Sequence, residues 1–139
     1  MLITSQLILS SVSGIYIYKI TRLLFEKQEI AMIATIIYGL FPMTLYWVHT
    51  FSQETLFQSL LIFSIYHLIQ YCSNEKLTSL IYSAFLFALC FLTKSHILIF
   101  SLFIPAILFL NIRSNKKRIF SILGFTFICV ISTLPYGLY

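Results

Sequence analysis

The stretch LTSLIYSAFLFALCFLTKSHILIFSLFIPAILFLNI, residues 77–112, decides the fold of this chain because only one charged residue, Lys94, interrupts it. A helix that crosses a membrane needs about 20 apolar residues, and about 17 is the lower limit. The stretch can therefore form either one long helix or two short helices that reverse direction near Lys94. The two alternatives place the rest of the chain on opposite sides of the membrane.

The positions of the basic residues decide between these alternatives. Cytoplasmic loops of membrane proteins carry an excess of Lys and Arg. A reversal at 93–96 places eight of the nine basic residues on one side, whereas a single helix over 77–112 would send the largest basic cluster outside. Two helices are therefore predicted, with Lys94 on the outer side. The eight are Lys19, Arg22, Lys27, Lys76, Arg113, Lys116, Lys117 and Arg118.

Composition extends this prediction to the whole chain. It is 60% hydrophobic and only 9% charged, whereas a soluble domain carries about 25% charged residues. We expect an all-α fold, a polytopic transmembrane helical bundle that forms a single transmembrane domain over 1–139. The net charge of +5 is spread over short loops rather than one face, which argues against a nucleic-acid partner. About six membrane segments are predicted, at 1–18, 30–48, 55–71, 77–92, 97–112 and 119–139.

Glu54 is the first candidate for a site residue. The other three acidic residues lie beside Lys or Arg in loops, whereas Glu54 has no basic neighbour at the outer edge of its segment. An ionisable group there is costly, so it indicates a functional role: binding a metal, orienting a catalytic group or holding a polar substrate. The alternative is a structural role, in which Ser52 caps the helix and an acid in its first turn favours the helix dipole.

Lys94 and two histidines complete the set of candidates on the outer side. The Lys94 ammonium could bind an anionic lipid phosphate. Alternatively, Lys94 simply lies between two short helices and extends its side chain to the membrane–water interface. His49 and His96 are both expected at the outer surface, where two imidazoles and a carboxylate could bind a metal. Their spacing matches no metal-binding motif, so interfacial polar residues are the simpler interpretation.

Five short motifs carry a family resemblance. Three of them have a direct counterpart in that family. They are the end of a helix with its basic exit, YIYKITRLLF (16–25), the Ala- and Ile-rich AMIATIIYGLFP (31–42), and LPY (134–136). SQETLF (52–57) is similar to its Ser-Glu-x-Leu-Phe signature with Gln53 inserted, and LCFLTK (89–94) to its Gly-Leu-Ala-x-Leu-Thr-Lys/Arg. In order and spacing the chain resembles the polytopic GT-C glycosyltransferases. Within them it resembles the protein O-mannosyltransferase-like group, which includes lipid A and lipopolysaccharide sugar transferases.

The resemblance implies a reaction and its partners. Such enzymes transfer a sugar from a polyprenyl-phosphate carrier to an acceptor hydroxyl on the extracytoplasmic face. The acceptor is a lipid-linked or cell-envelope glycan, and the expected location is the bacterial plasma membrane, among membrane lipids. Glu54 matches an acidic residue that faces the substrate cavity, and Lys94 matches a basic residue that contacts the carrier phosphate. Some relatives use a divalent metal, and the sequence does not decide whether this chain does.

The same resemblance implies that no catalytic residue lies in this chain. The family's catalytic aspartate belongs to an outer loop that would precede Met1, and its later helices would follow Tyr139. We therefore expect a segment of a larger GT-C fold, incomplete at both ends, whose own enzymatic activity is uncertain. The alternative functions are a small multi-pass transporter or a non-catalytic membrane-assembly subunit. An isolated carboxylate at the rim, rather than at the bilayer midplane, argues against a transporter.

Overall fold

A computed structural model describes residues 2–50, 53–94, 104 and 115–137, and this part of the chain is helical with no strand, as predicted. The chain divides into two compact units, Met1–Tyr66 and His67–Tyr139, which meet within the fourth helix. The helices are α1 (Leu2–Phe25), α2 (Gln28–Leu40), α3 (Pro42–His49), α4 (Gln53–Asn74), α5 (Leu77–Thr93) and α6 (Asn115–Gly137).

Two of these helices are long and apolar enough to cross a membrane, namely Ile3–Phe25 within α1 and the whole of α4, Gln53–Asn74. Apolar helices of 10–17 residues occur at α2, α5 and 119–132 of α6. With a rise of 1.5 Å per residue, α5 is about 26 Å long, slightly shorter than a hydrocarbon core of about 30 Å. The predicted segment 97–112 lies outside the described residues except for Ile104, which is buried.

Pro42 divides the predicted segment 30–48 into two helices. Phe41 adopts an extended conformation (φ −65°, ψ 120°), and its N–H donates to the carbonyl of Tyr38. A residue before proline is excluded from the α region by steric conflict, so α2 ends at Leu40. Pro42 then occupies the first position of α3, where its missing N–H is not needed. A proline is expected to kink or end a helix, and Pro42 thus divides the segment 30–48 at Phe41.

The first helix is longer than the predicted segment 1–18. It continues to Phe25, so Lys19 and Arg22, expected in a loop, lie in its last turns. Arg22 lies in the last turn of α1, where the helix dipole favours a cation. The long side chains of both residues can also extend from an apolar helix toward water.

Two connectors of identical sequence join α1 to α2 and α4 to α5. Each consists of a glutamate followed by a lysine, Glu26-Lys27 and Glu75-Lys76. Both glutamates have positive φ, 57° and 52°, and both donate their N–H to the carbonyl four residues earlier, at 2.9 and 2.8 Å. This is the left-handed cap that ends a helix with a single hydrogen bond. The lysine that follows is extended in both, and a new helix begins after it.

Small residues allow close helix packing in the first unit. Gly14 of α1 lies against α2, where a Cβ atom on it would be 3.8 Å from the ring of Tyr38 and 3.9 Å from the methyl of Thr35. Ala31 of α2 is fully buried. The buried Ser13 hydroxyl donates to the carbonyl of Leu9 in its own helix, so its burial leaves no polar atom unsatisfied. Small and hydroxyl residues are typical of helix contacts in membranes.

The second unit is built around the small-residue face of α5, which packs along α6. Cys129 donates its thiol to the carbonyl of Ala84 at 3.7 Å, and Phe87 packs against Phe125 with ring centroids 5.9 Å apart. The hydroxyls of Tyr71 and Ser121 form a buried hydrogen bond between α4 and α6. The first two contacts join α5 to α6, and the third joins the C-terminal part of α4 to α6. The buried residues of the α5 face are Ser79, Leu80, Ser83, Ala84, Phe87, Ala88 and Cys90.

Candidate functional site

Glu54 is the second residue of α4 and is half-buried. The first N–H groups of a helix have no partner within it, and the dipole makes this end favourable for a carboxylate. The structure thus places Glu54 at the helix start, as the sequence predicted. The placement suits both interpretations of this residue, the structural one and the substrate-binding one.

Thr55 fixes the position of the first turn of α4. It is only 3% exposed, and its Oγ1 donates a hydrogen bond of 3.0 Å to the carbonyl of Trp47. That carbonyl belongs to the last turn of α3, where main-chain acceptors lack partners within the helix. The hydroxyl of Thr50 donates to the neighbouring carbonyl of Tyr46, also at 3.0 Å. Glu54 is therefore attached to a turn that is bonded to the end of α3.

The end of α3 that accepts the Thr55 hydrogen bond also carries an aromatic pair. The rings of Tyr46 and Trp47 have centroids 5.0 Å apart and meet edge to face at 74°. The sequence analysis did not single out Thr55, although a hydroxyl residue in the first turn of an apolar helix is a signal for such a contact. We name Tyr46, Trp47, Glu54 and Thr55 the α3–α4 corner.

Lys94 ends α5. Its main chain is extended, and its N–H donates to the carbonyl of Cys90 at 2.9 Å. The hydroxyl of Thr93 donates to the same carbonyl at 2.7 Å. The Lys94 side chain is half-buried at a helix C-terminus, where the dipole favours a cation. The predicted interruption of the long apolar stretch at 93–96 is confirmed on its N-terminal side, because α5 ends at Thr93.

Glu54 belongs to the first unit and Lys94 to the second. A single cavity that contains both residues stays a prediction. His49 is the last residue of α3, and its side chain lies outside the described part of the chain, as does the whole of His96. Among the residues that the structure describes, no three His, Cys, Asp or Glu side chains come together in a group that could hold a metal.

Comparison with known families gives one match. The family model described as dolichyl-phosphate-mannose-protein mannosyltransferase matches residues 1–136. The matched residues include every motif on which the resemblance to GT-C glycosyltransferases rests, and the match confirms that resemblance. Neither the curated proteins nor the solved structures contain a match to this chain.

Proposed function

This chain belongs to the dolichyl-phosphate-mannose-protein mannosyltransferase family, and we propose that it forms the donor-binding part of a membrane glycosyltransferase. The family consists of integral membrane proteins that are glycosyltransferases of the mannosyltransferase type. The donor that we propose is a sugar linked to a polyprenyl phosphate, and the acceptor is a hydroxyl of a lipid-linked or cell-envelope glycan. The match over residues 1–136 is the observation that carries this proposal.

The reaction that we propose forms one bond and breaks another. The acceptor hydroxyl oxygen attacks the anomeric carbon of the sugar, and a new C–O bond forms. The bond between that carbon and the phosphate oxygen breaks, the hydroxyl proton passes to a base, and polyprenyl phosphate leaves as an anion. Fixed cationic groups accelerate such a step by offsetting the charge on the leaving group. We assign the base to none of the described residues.

Lys94 is the proposed phosphate-binding residue. An ammonium binds a phosphate as a point charge, and Lys94 is the one basic residue of the chain that we assign to the extracytoplasmic side. Its place at the end of α5, with a fixed main chain, supports this role because the side chain starts from a defined position.

Glu54 is the proposed sugar-binding residue. A carboxylate accepts hydrogen bonds from hydroxyl groups, and those bonds are stronger than bonds between neutral groups. The α3–α4 corner supports this role because a site must hold its polar groups in place to discriminate between ligands. We assign the corner and Lys94 each to the extracytoplasmic side of a bacterial plasma membrane, in a bundle of about six spans.

The test is donor binding by the purified chain in lipid nanodiscs, with a polyprenyl-phosphate hexose and the same polyprenyl phosphate without sugar as the probes. We expect Lys94→Gln to weaken the binding of both probes about tenfold, since one charge-assisted hydrogen bond is lost. Lys76→Gln, which removes a connector lysine, should leave binding of both probes unchanged. Glu54→Gln should reduce the preference for the probe that carries the sugar.

Two results would contradict the proposal. One is wild-type binding of the polyprenyl probes no tighter than that of a phospholipid with the same charge. The other is an equal effect of Lys94→Gln and Lys76→Gln, which would indicate general attraction by positive charge rather than a site.

A further inference from the structure

The C-terminal half of α1 carries a lysine whose ammonium lies over two tyrosine rings. The Nζ atom of Lys19 is 5.3 Å from the ring centroid of Tyr16 and 5.9 Å from that of Tyr66. A cation within about 6 Å of a ring centroid is attracted by the ring's negative face. Lys19 is exposed while both tyrosines are half-buried. The rings therefore restrain the ammonium without covering it.

The two tyrosines belong to an aromatic cluster that joins α1 to α4 within the first unit. The ring of Tyr16 lies 4.5 Å from that of Phe63 and 4.9 Å from that of Tyr66, centroid to centroid. The Tyr16 and Tyr66 rings meet edge to face at 86°, a favourable arrangement for aromatic pairs. The support for Lys19 is thus provided by two helices that are far apart in sequence.

A second cation lies one turn further along α1. Arg22 is three residues after Lys19, so both side chains are on the same side of the helix, and Arg22 is also exposed. The nearby connector and the start of α2 contain two carboxylates, Glu26 and Glu29. Within the described residues, neither Lys19 nor Arg22 forms an ion pair with either of them. The pair of cations is therefore available to an external anion.

Basic residues in the helix before the connector occur at Glu26-Lys27 but not at the equivalent connector Glu75-Lys76. Both connectors contain a lysine, Lys27 or Lys76, and either charge can serve the orientation of the chain in the membrane. The last turn of α4, however, contains no basic residue, whereas the last turn of α1 contains Arg22. Orientation alone therefore does not account for Lys19 and Arg22, which lie before the connector.

The depth of these residues matches that of lipid headgroups. The 24 residues of α1 are about 36 Å long, which exceeds a hydrocarbon core of about 30 Å. The last turns of the helix therefore extend into the headgroup region. Tyrosine is also enriched in membrane proteins at the membrane–water interface, where the headgroups lie.

We propose that Lys19 and Arg22 bind the phosphate of an anionic phospholipid of the cytoplasmic leaflet, with Tyr16 and Tyr66 holding the Lys19 ammonium in place. The leaflet follows from the orientation that the basic loops favour. Basic pockets between helices on the cytoplasmic side are known to accept anionic headgroups. Lys19 contributes a point charge, and the planar Arg22 guanidinium can donate two parallel hydrogen bonds to phosphate oxygens. This site is independent of the proposed donor site.

The test measures binding of short-chain phosphatidylglycerol and phosphatidylcholine to the purified full chain in a neutral detergent. The wild type should bind phosphatidylglycerol more tightly. Lys19→Gln should weaken phosphatidylglycerol binding about tenfold, and Lys19→Arg should retain most of it. Tyr66→Leu should weaken it about threefold because the cation–ring attraction is lost, while Tyr66→Phe, which keeps the ring, should not. Lys27→Gln, in the connector that follows α1, is the matched control and should bind like the wild type.

Three outcomes would overturn the proposal. Equal binding of the two lipids would show that the headgroup charge is not recognised. Equal losses in Lys19→Gln and Lys27→Gln would show that only total positive charge matters. Competition by inorganic phosphate as effective as that by phosphatidylglycerol, at equal concentration, would show that the site takes free phosphate rather than a lipid.

Discussion

At the scale of single residues, the contact that matters most to the donor proposal is the hydrogen bond from Thr55 to the carbonyl of Trp47. It satisfies a main-chain acceptor at the end of α3 and gives the buried Thr55 hydroxyl a partner. Glu54 precedes this threonine directly, so the bond also limits where its carboxylate can be. We regard Thr55 as a positioning residue for Glu54, since it acts through the main chain and not on substrate.

Replacement of Thr55 by valine tests this role. The variant keeps the shape of the side chain but removes the 3.0 Å hydrogen bond to the Trp47 carbonyl, which then keeps only the 3.5 Å contact from the Thr50 hydroxyl. This loss should lower the free energy of unfolding by about 1 kcal/mol. It should also reduce the preference of the chain for the sugar-bearing donor, as Glu54→Gln does. Thermal unfolding in detergent and the donor-binding measurement give the two readouts.

Ser59→Ala is the matched control for this prediction. Ser59 is buried in the same helix, but its hydroxyl donates to the carbonyl of Thr55 in its own helix. Its loss should affect donor preference far less than the loss of the Thr55 hydroxyl. If Thr55→Val lowers stability but leaves the donor preference of the wild type intact, Thr55 has a structural role only.

Only part of this residue-scale arrangement could be predicted from the sequence. An acidic residue just after a polar turn indicates the first turn of a helix, and Glu54 is found there. The Thr55–Trp47 bond depends on how α3 and α4 meet, which no local pattern specifies. The Lys19–Tyr66 contact was missed for the same reason, because its partners are far apart in the chain.

At the scale of helices and connectors, the two glutamates with positive φ are the strained points of the described chain. The left-handed region costs a residue with a Cβ atom about 1 kcal/mol, and glycine adopts it freely. The connectors nevertheless use glutamate, which places a carboxylate next to a lysine at each helix end. Each connector reverses the chain with only two residues between helices.

Glu26→Gly should therefore stabilise the chain, by about 0.5–1 kcal/mol, because it relieves the left-handed conformation. Glu29→Gly removes an equal charge from α2, three residues away, and should destabilise the chain by about 1 kcal/mol because glycine is unfavourable within a helix. Thermal unfolding of both variants in the same detergent checks the opposite signs. A loss of stability in both would show that the Glu26 carboxylate contributes more than its backbone strain costs.

The helices themselves were only partly predictable. Apolar runs located the cores of α1, α2, α4 and α5 because burial and lipid exposure both demand apolar residues there. Hydropathy alone did not divide the segment 30–48, since both sides of Pro42 are equally apolar, but a proline is expected to kink or end a helix, and α2 does end just before Pro42. Hydropathy also placed the end of α1 too early, because Lys19 and Arg22 are polar residues that a helix end can accommodate.

At the scale of the whole molecule, the family and the all-helical character of the described residues were the most predictable features. Few charges and long apolar runs leave little choice but helices in a membrane, since each helix satisfies its own main-chain groups. The order of five short motifs indicated the family, which the match over 1–136 confirms. The residues of the site were harder to predict from the sequence, because Glu54 and Lys94 belong to different units and only the family resemblance relates them.

The most direct test of the account is photo-cross-linking to a polyprenyl-phosphate sugar at two equivalent helix starts. Gln53 and Gln28 are both exposed glutamines that begin a helix, α4 and α2 respectively. A photoreactive residue is placed at each position in turn, and the chain in membranes is exposed to a radiolabelled donor. We predict labelling at position 53, beside Glu54, and little at position 28, near the Glu26-Lys27 connector. Equal labelling at the two positions, or stronger labelling at 28, would contradict a donor site at the α3–α4 corner.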